Sequence, residues 1–209
     1  MKIRWIGHAC FLIDAEEARI LTDPFDEEVP YNFVEEAVDI VTVSHDHFDH
    51  NAVHRIPGDR AIVEATGQLD VRNVPIRGIP SLHRPGGVDN ILYTFVIEGL
   101  VVAHFGDLGT ALDEGQLAAL EDVTILLCPV GGNYTINATQ ASTICRQLPN
   151  LKVVIPMHFK TDRIADWPIE TVEPFAEMMD NVRRIGSSEV SVTRETLPEQ
   201  LEVWILDYA

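Results

Sequence analysis

Between Ser44 and Asn51 the chain reads His45-Asp46-His47-Phe48-Asp49-His50, five side chains with imidazole or carboxylate groups in six positions. These are the ligand types that zinc and similar divalent ions take. In an extended segment alternate residues point to one side, so His45 and His47 can reach one ion. Asp49 and His50, at the bend that follows, can reach a second. A solvated histidine-rich loop holding no metal is the bland alternative. It is disfavoured because an apolar run, Asp39 to Ser44, delivers the loop and because ligand types recur downstream. His83 lies in Pro80-Ser-Leu-His83-Arg-Pro, Asp107 in His104-Phe-Gly-Asp107, and His158 in Ile155-Pro-Met-His158-Phe, each just after an apolar run.

The elements that position these residues are short and β-rich in the first half. Strands are predicted over residues 2–6, 9–14, 18–22, 39–44, 60–65, 74–79, 91–97 and 100–104, and further on over 123–128, 152–156 and 201–206. Helical pattern appears at 113–120, where Asp113 can cap and Gln116 sits three residues on, at 138–148 and at 170–181. Strands and helices mix throughout, which suits sheets with helices packed outside them. Residues 24–36, with Pro24, Pro30 and several acids, read as a surface loop able to overhang a site.

The order of the His-x-His-x-Asp-His loop, a lone histidine, an aspartate and a last histidine resembles that of the metallo-β-lactamase superfamily, over nearly the whole chain. Trp5-Ile-Gly-His8-Ala-Cys-Phe-Leu-Ile, Thr22-Asp23-Pro24, Phe105-Gly-Asp107 and Pro129-Val-Gly-Gly-Asn-Tyr-Thr135 are similar to its branch of compact hydrolases related to ascorbate 6-phosphate lactonase. The resemblance implies one α/β domain over residues 1–209, an αββα sandwich of two mixed β-sheets with helices on the outer faces. It implies two divalent ions, zinc first and manganese or iron as alternatives. Metal one would take His45, His47 and His83, metal two Asp49, His50 and His158, with Asp107 bridging. Two ions would make a shared water acidic near neutral pH and aim it at carbon or phosphorus. Asp107 and Asp49 would then be catalytic, Asp49 by orienting the attacking water. His8, on a Gly-His turn, is placed with them as a donor of a hydrogen bond or proton, against a purely structural turn histidine. Asp23 would orient a ligand histidine from behind.

Other residues carry weaker signals. His104 can line the site or be satisfied in the core, and His54 reads as surface. Gly131-Gly132 before a helix invites an anion-binding reading, on two glycines alone. Lys160, Arg163 and Arg84 stand beside candidate ligands and could meet a phosphate or carboxylate.

The 209 residues, 46% of them hydrophobic, suffice for one core. No apolar run approaches the roughly 20 residues needed to cross a bilayer, and no export signal is visible. Cys10, Cys128 and Cys145, an odd set in apolar surroundings, suit reduced thiols and a cytoplasmic location. A net charge of -18 disfavours nucleic acid and anionic lipid as partners. The expected partner is a small-molecule substrate, an anionic one included, with a homo-oligomer left open. The function expected is hydrolysis of a lactone, ester or phosphodiester; the alternative is a non-catalytic metal-binding or interaction protein of the same fold. A di-iron redox domain is disfavoured because it usually carries a carboxylate where His47 stands.

Overall fold

The computed structural model describes residues 1–33 and 36–209; residues 34 and 35, within the predicted surface loop, lie outside the described residues. The chain runs β1 (Lys2–Gly7), β2 (Cys10–Asp14), β3 (Arg19–Thr22), β4 (Ile40–Thr42), β5 (Ala61–Val63), β6 (Gly67–Val71), β7 (Val74–Leu82), β8 (Asp89–Ile97), β9 (Leu100–His104), α1 (Glu114–Ala119), β10 (Ile125–Pro129), α2 (Ala138–Gln147), β11 (Val153–Met157), α3 (Glu173–Met178), β12 (Val182–Arg184), β13 (Glu189–Ser191) and β14 (Glu202–Ile205). A six-stranded sheet has the order β13-β1-β2-β3-β4-β5, and an eight-stranded sheet the order β12-β14-β11-β10-β9-β8-β7-β6. Both are mixed: β1–β2–β3 and β6–β7–β8–β9 pair antiparallel, while β3–β4–β5 and β9–β10–β11–β14–β12 pair parallel.

Alternation along the first sheet decides what each face covers. Ile3, Trp5, Phe11, Ile13, Ile20 and Ile40 turn into the large core shared with the second sheet. Ile6, Cys10, Leu12, Leu21 and Val41 turn outward, where Phe25, Val29, Tyr31, Ile56, Ile164 and Ile169 cover them. Those covering residues come from loops and single 3-10 turns. Helix α2 instead covers the second sheet, burying Ala141, Ile144 and Cys145 in the same core as β10 and β11. The sandwich is therefore dressed unevenly, with α-helix on one side and mainly irregular chain on the other. Every residue of β10 and β11 is buried, as parallel strands covered on both faces require.

The predicted caps form. Asp113 and Gln116 make a capping box on α1, and Asn137 and Gln140 make one on α2. The third predicted helix, 170–181, shrinks to Glu173–Met178. Three strands were not predicted: β6, β12 and β13 are mostly polar and part-exposed, so they carry no apolar alternation to read. Cys10, Cys128 and Cys145 are buried and unbridged. Among the described residues no helix is long and apolar enough to cross a membrane.

Candidate metal centre

Strand ends deliver every candidate ligand. His8 follows β1, Asp23 follows β3, the His45–His50 loop follows β4, His83 follows β7, Asp107 follows β9 and His158 follows β11. Six strands from two sheets thus release their chains at one edge of the sandwich, where backbone freed from the ladder can turn side chains inward. His8, Asp23 and His158 all have positive φ, 53°, 41° and 50°. Such conformations are costly for residues with a Cβ and persist where surrounding structure imposes them, often at functional sites. Part of that imposition is visible: the carbonyl of His8 accepts from the Trp5 indole at 3.0 Å and from the His158 amide at 3.1 Å, tying the two sheets together at the site.

The rings of His45, His47 and His83 form one cluster, with centroids 4.4 Å (His45–His47), 5.2 Å (His45–His83) and 5.3 Å (His47–His83) apart. His45 Nε2 faces His47 Nδ1 at 2.9 Å. Beside it, Asp107 aims Oδ1 at His50 Nε2 (3.2 Å) and His158 Nε2 (3.4 Å), and Oδ2 at His83 Nδ1 (3.5 Å) and His45 Nε2 (3.8 Å). Asp107 therefore stands between the two groups of histidines. Ligand atoms of His8, Asp49, His50 and His158 lie within 4.8 Å of one another, as do those of His45, His50 and Asp107.

A second layer holds the first. Asp23 Oδ2 accepts from Ser44 Oγ at 2.6 Å and contacts His50 Nδ1 at 2.8 Å, and its Oδ1 accepts from the Ser44 amide. Ser44 Oγ also meets His45 Nδ1 at 2.9 Å. The amide of Asp107 donates to Asn90 Oδ1, whose own amide group donates to the Phe105 carbonyl and Ser81 Oγ. His83 Nδ1 contacts the Asp107 carbonyl at 3.2 Å. One nitrogen each of His45 and His50 is thereby engaged from behind, which fixes ring orientation and leaves the other nitrogen forward. Ser44 and Asn90 carry no motif and escaped the sequence reading.

The electrostatics are those of a cation site. Burial alone would raise the Asp107 carboxyl, but His158 and His50 outweigh it and hold it well below the usual range. For Asp49, burial again pushes up, and His50 with the His8 hydrogen bond pulls the net value down. Burial disfavours charge on His50, yet Asp107 and Asp49 raise it well above an ordinary histidine. His45 is lowered to about 3 by burial and then by His50, and His8 to about 4 by burial and then by His158. Meanwhile Asp49 Oδ1, Asp107 Oδ1 and His50 Nε2 are buried without a well-aligned hydrogen bond, the last two facing each other only at 3.2 Å. Unpaired buried acceptors are costly, and imidazole and carboxylate atoms converging this way suit a divalent ion. The donor set fits a metal.

The remaining candidates separate. His104 is a satisfied core histidine: its Nε2 donates to the Ala9 carbonyl at 2.8 Å and its Nδ1 accepts from the Gly106 amide. His54 is exposed. Gly131 serves close packing, since a Cβ there would lie 2.2 Å from the His158 carbonyl oxygen, and the α2 N-terminus beyond it is capped by Asn137. Arg84 lines the cleft over the ligands, but Lys160 lines a different one with Tyr208 and Arg184, and Arg163 lies over the Tyr208 ring. The loop after Pro24 does reach the mouth, through Glu28. Trp167, which also lines it, gave no signal in the sequence, and Tyr134 stood in the Pro129–Thr135 string without being given a role at the site.

The cleft above these residues encloses about 470 Å³, the size of a small-molecule site. Residues 2–158, from the first strand to the last candidate ligand, match the family described as beta-lactamase superfamily domain. A metal-dependent hydrolase of the UPF0173 group from Methanoregula boonei is 31% identical over 189 residues, 77% of this chain and 83% of its own length. Another from Pyrobaculum aerophilum is 30% identical over 77% of this chain and 85% of its own. A crystal structure of a metallo-β-lactamase superfamily protein from Thermotoga maritima, 34% identical, superposes with a TM-score of 0.86, covering 100% of this chain and 99% of that one. With that match running over every candidate ligand, the chain belongs to the metallo-β-lactamase superfamily and, within it, to the UPF0173 metal-dependent hydrolases.

Proposed function

We propose that this protein hydrolyses a small-molecule lactone, ester or phosphodiester with two divalent ions, zinc first and manganese or iron as alternatives. The observation that carries the reading is Asp107, one carboxylate whose two oxygens face two separate groups of histidines. His45, His47 and His83 would hold one ion, Asp49, His50 and His158 the other, with Asp107 between them. Ions held there lower the pKa of a water and polarise the bond to be broken.

The chain's own residues do the rest. Asp49 has one oxygen engaged by His8 at 3.1 Å and the other unpaired, so it is placed to accept a hydrogen bond from the attacking water and aim it. His8, fully buried and kept neutral by that burial, carries its proton on the nitrogen facing Asp49. It is a positioning residue: it holds the carboxylate in one orientation. Asp23 does the same for His50 from behind. A structural site needs only one closed ion, so a donor set this large, opening on a cleft, favours catalysis over the reading of a binding protein without turnover.

The test is metal content of the purified protein alongside hydrolysis of a bis-aryl phosphodiester, a simple lactone and a β-lactam, with Asp107→Ala as control. About two ions per chain and metal-dependent turnover lost in the variant are expected. Protein that takes up no metal on reconstitution overturns the reading; full loading with no turnover on any substrate favours the binding protein.

A further inference from the structure

The cleft over the ligands has an apolar wall that metal binding does not need. Phe48, set between ligands His47 and Asp49, is 51% exposed, although neighbouring Val43 and His45 are buried. Tyr134 and Trp167, from separate loops far along the chain, line the same cleft. Trp167 is held edge-on against the His8 ring, centroids 5.2 Å apart, so its position is fixed from the catalytic side. Three aromatic rings from three segments converging on one mouth form a surface for another flat apolar group.

Charge around the mouth points the same way. Glu28 and Asp166 line it, and Arg84 is the one guanidinium or ammonium group among the described lining residues. The two other basic residues near His158, Lys160 and Arg163, turn away from this cleft. Phosphate sites ordinarily present several fixed donors or cations to the anion, and a rim of this kind offers one.

Resting on the hydrolase reading above, we infer that the substrate is a neutral aromatic or similarly flat carboxylic ester or lactone, seated against Phe48, Tyr134 and Trp167, rather than a phosphate ester. In the reaction, water adds its oxygen to the acyl carbon, the bond from that carbon to the ring or leaving oxygen breaks, and that oxygen takes a proton. A lactone thus opens to a hydroxy acid whose new carboxylate meets the acidic rim, which favours its release.

The experiment compares metal-loaded protein on dihydrocoumarin (neutral, aromatic), butyrolactone (neutral, aliphatic) and bis-nitrophenyl phosphate (aromatic, anionic). Dihydrocoumarin is expected to exceed both others in kcat/KM by tenfold or more. Trp167→Ala should raise its KM by about tenfold, the scale of one lost aromatic contact, and raise the KM for butyrolactone by much less. In metal-free protein, β-tetralone, a neutral ketone of dihydrocoumarin's shape, should quench tryptophan fluorescence, and Trp167→Phe should abolish the response because Trp5 and Trp204 are buried. A phosphodiester turned over as well as dihydrocoumarin overturns the substrate class while leaving the hydrolase standing. Absence of turnover on all three, with the tetralone response intact, sinks the hydrolase reading and keeps the aromatic seat; a tetralone response that is missing, or unchanged in Trp167→Phe, overturns the seat itself.

Discussion

At the scale of single residues, the site depends on groups that never meet a substrate. Asp23 is fully buried, and its carboxylate, held below the usual range against the pull of burial by His104, His50 and Ser44, reaches both the first and second clusters of histidines through Ser44 and His50. Asp23→Asn should therefore keep the fold yet weaken metal binding by about 10- to 100-fold, read by competition with a chromophoric chelator. His104 offers a pH test. Burial holds its pKa below the ordinary 6.5, so above 6.5 its neutral form costs nothing. As pH falls below 6.5 the unfolded chain takes up a proton that the folded ring refuses, and stability falls with pH until the lowered folded value is reached. His104→Gln, which keeps a donor for the Ala9 carbonyl, should show a shallower loss of Tm in acid than the parent. The candidate ligands stood out in the sequence because four of the seven, His45, His47, Asp49 and His50, fall in one short, unusual string. Asn90 and Ser44 were not, since a lone amide or hydroxyl looks like any surface residue until its partners are known.

Elements differ in what they do for the site. Gly131 and His158 belong to chain leaving β10 and β11, and a Cβ on Gly131 would meet the His158 carbonyl oxygen at 2.2 Å. Gly131→Ala should push the His158 segment aside and lower both Tm and metal affinity. Asn137→Ala removes the side-chain cap of α2 and should cost about 1 kcal/mol of stability with metal affinity unchanged; calorimetry paired with metal titration separates the two. Buried parallel strands such as Ile125–Pro129 and Val153–Met157 announced themselves as apolar runs, and capped helices by their first turns. Three of the four edge strands did not, because a strand such as Gly67–Val71 needs no apolar face where it borders solvent. The aromatic wall was not legible as a wall: Phe48 and Tyr134 stood inside quoted strings without a role, Trp167 sits in a loop with no period, and only the closing of the sandwich brings the three together.

For the whole molecule the dominant fact is a charge of -18, with several carboxylates concentrated beneath one cleft. Divalent ion at about a hundredfold excess over its Kd should stabilise the fold by about 2.7 kcal/mol, seen as a rise in Tm that Asp107→Ala largely removes. Monovalent salt should also raise Tm, by screening repulsion across the surface, and this rise should survive in the variant. One feature reaches into the protein's synthesis. The candidate ligands leave the ends of β4, β7, β9 and β11, and the last of them, His158, follows a strand paired with β14. A nascent chain emerging from the ribosome already displays the His45–His50 loop while His158 is still inside the exit tunnel. Early capture of an ion there would be loose and exchangeable, so the choice of metal would fall to the moment when β11 and β14 dock, and to whichever ion the compartment then supplies.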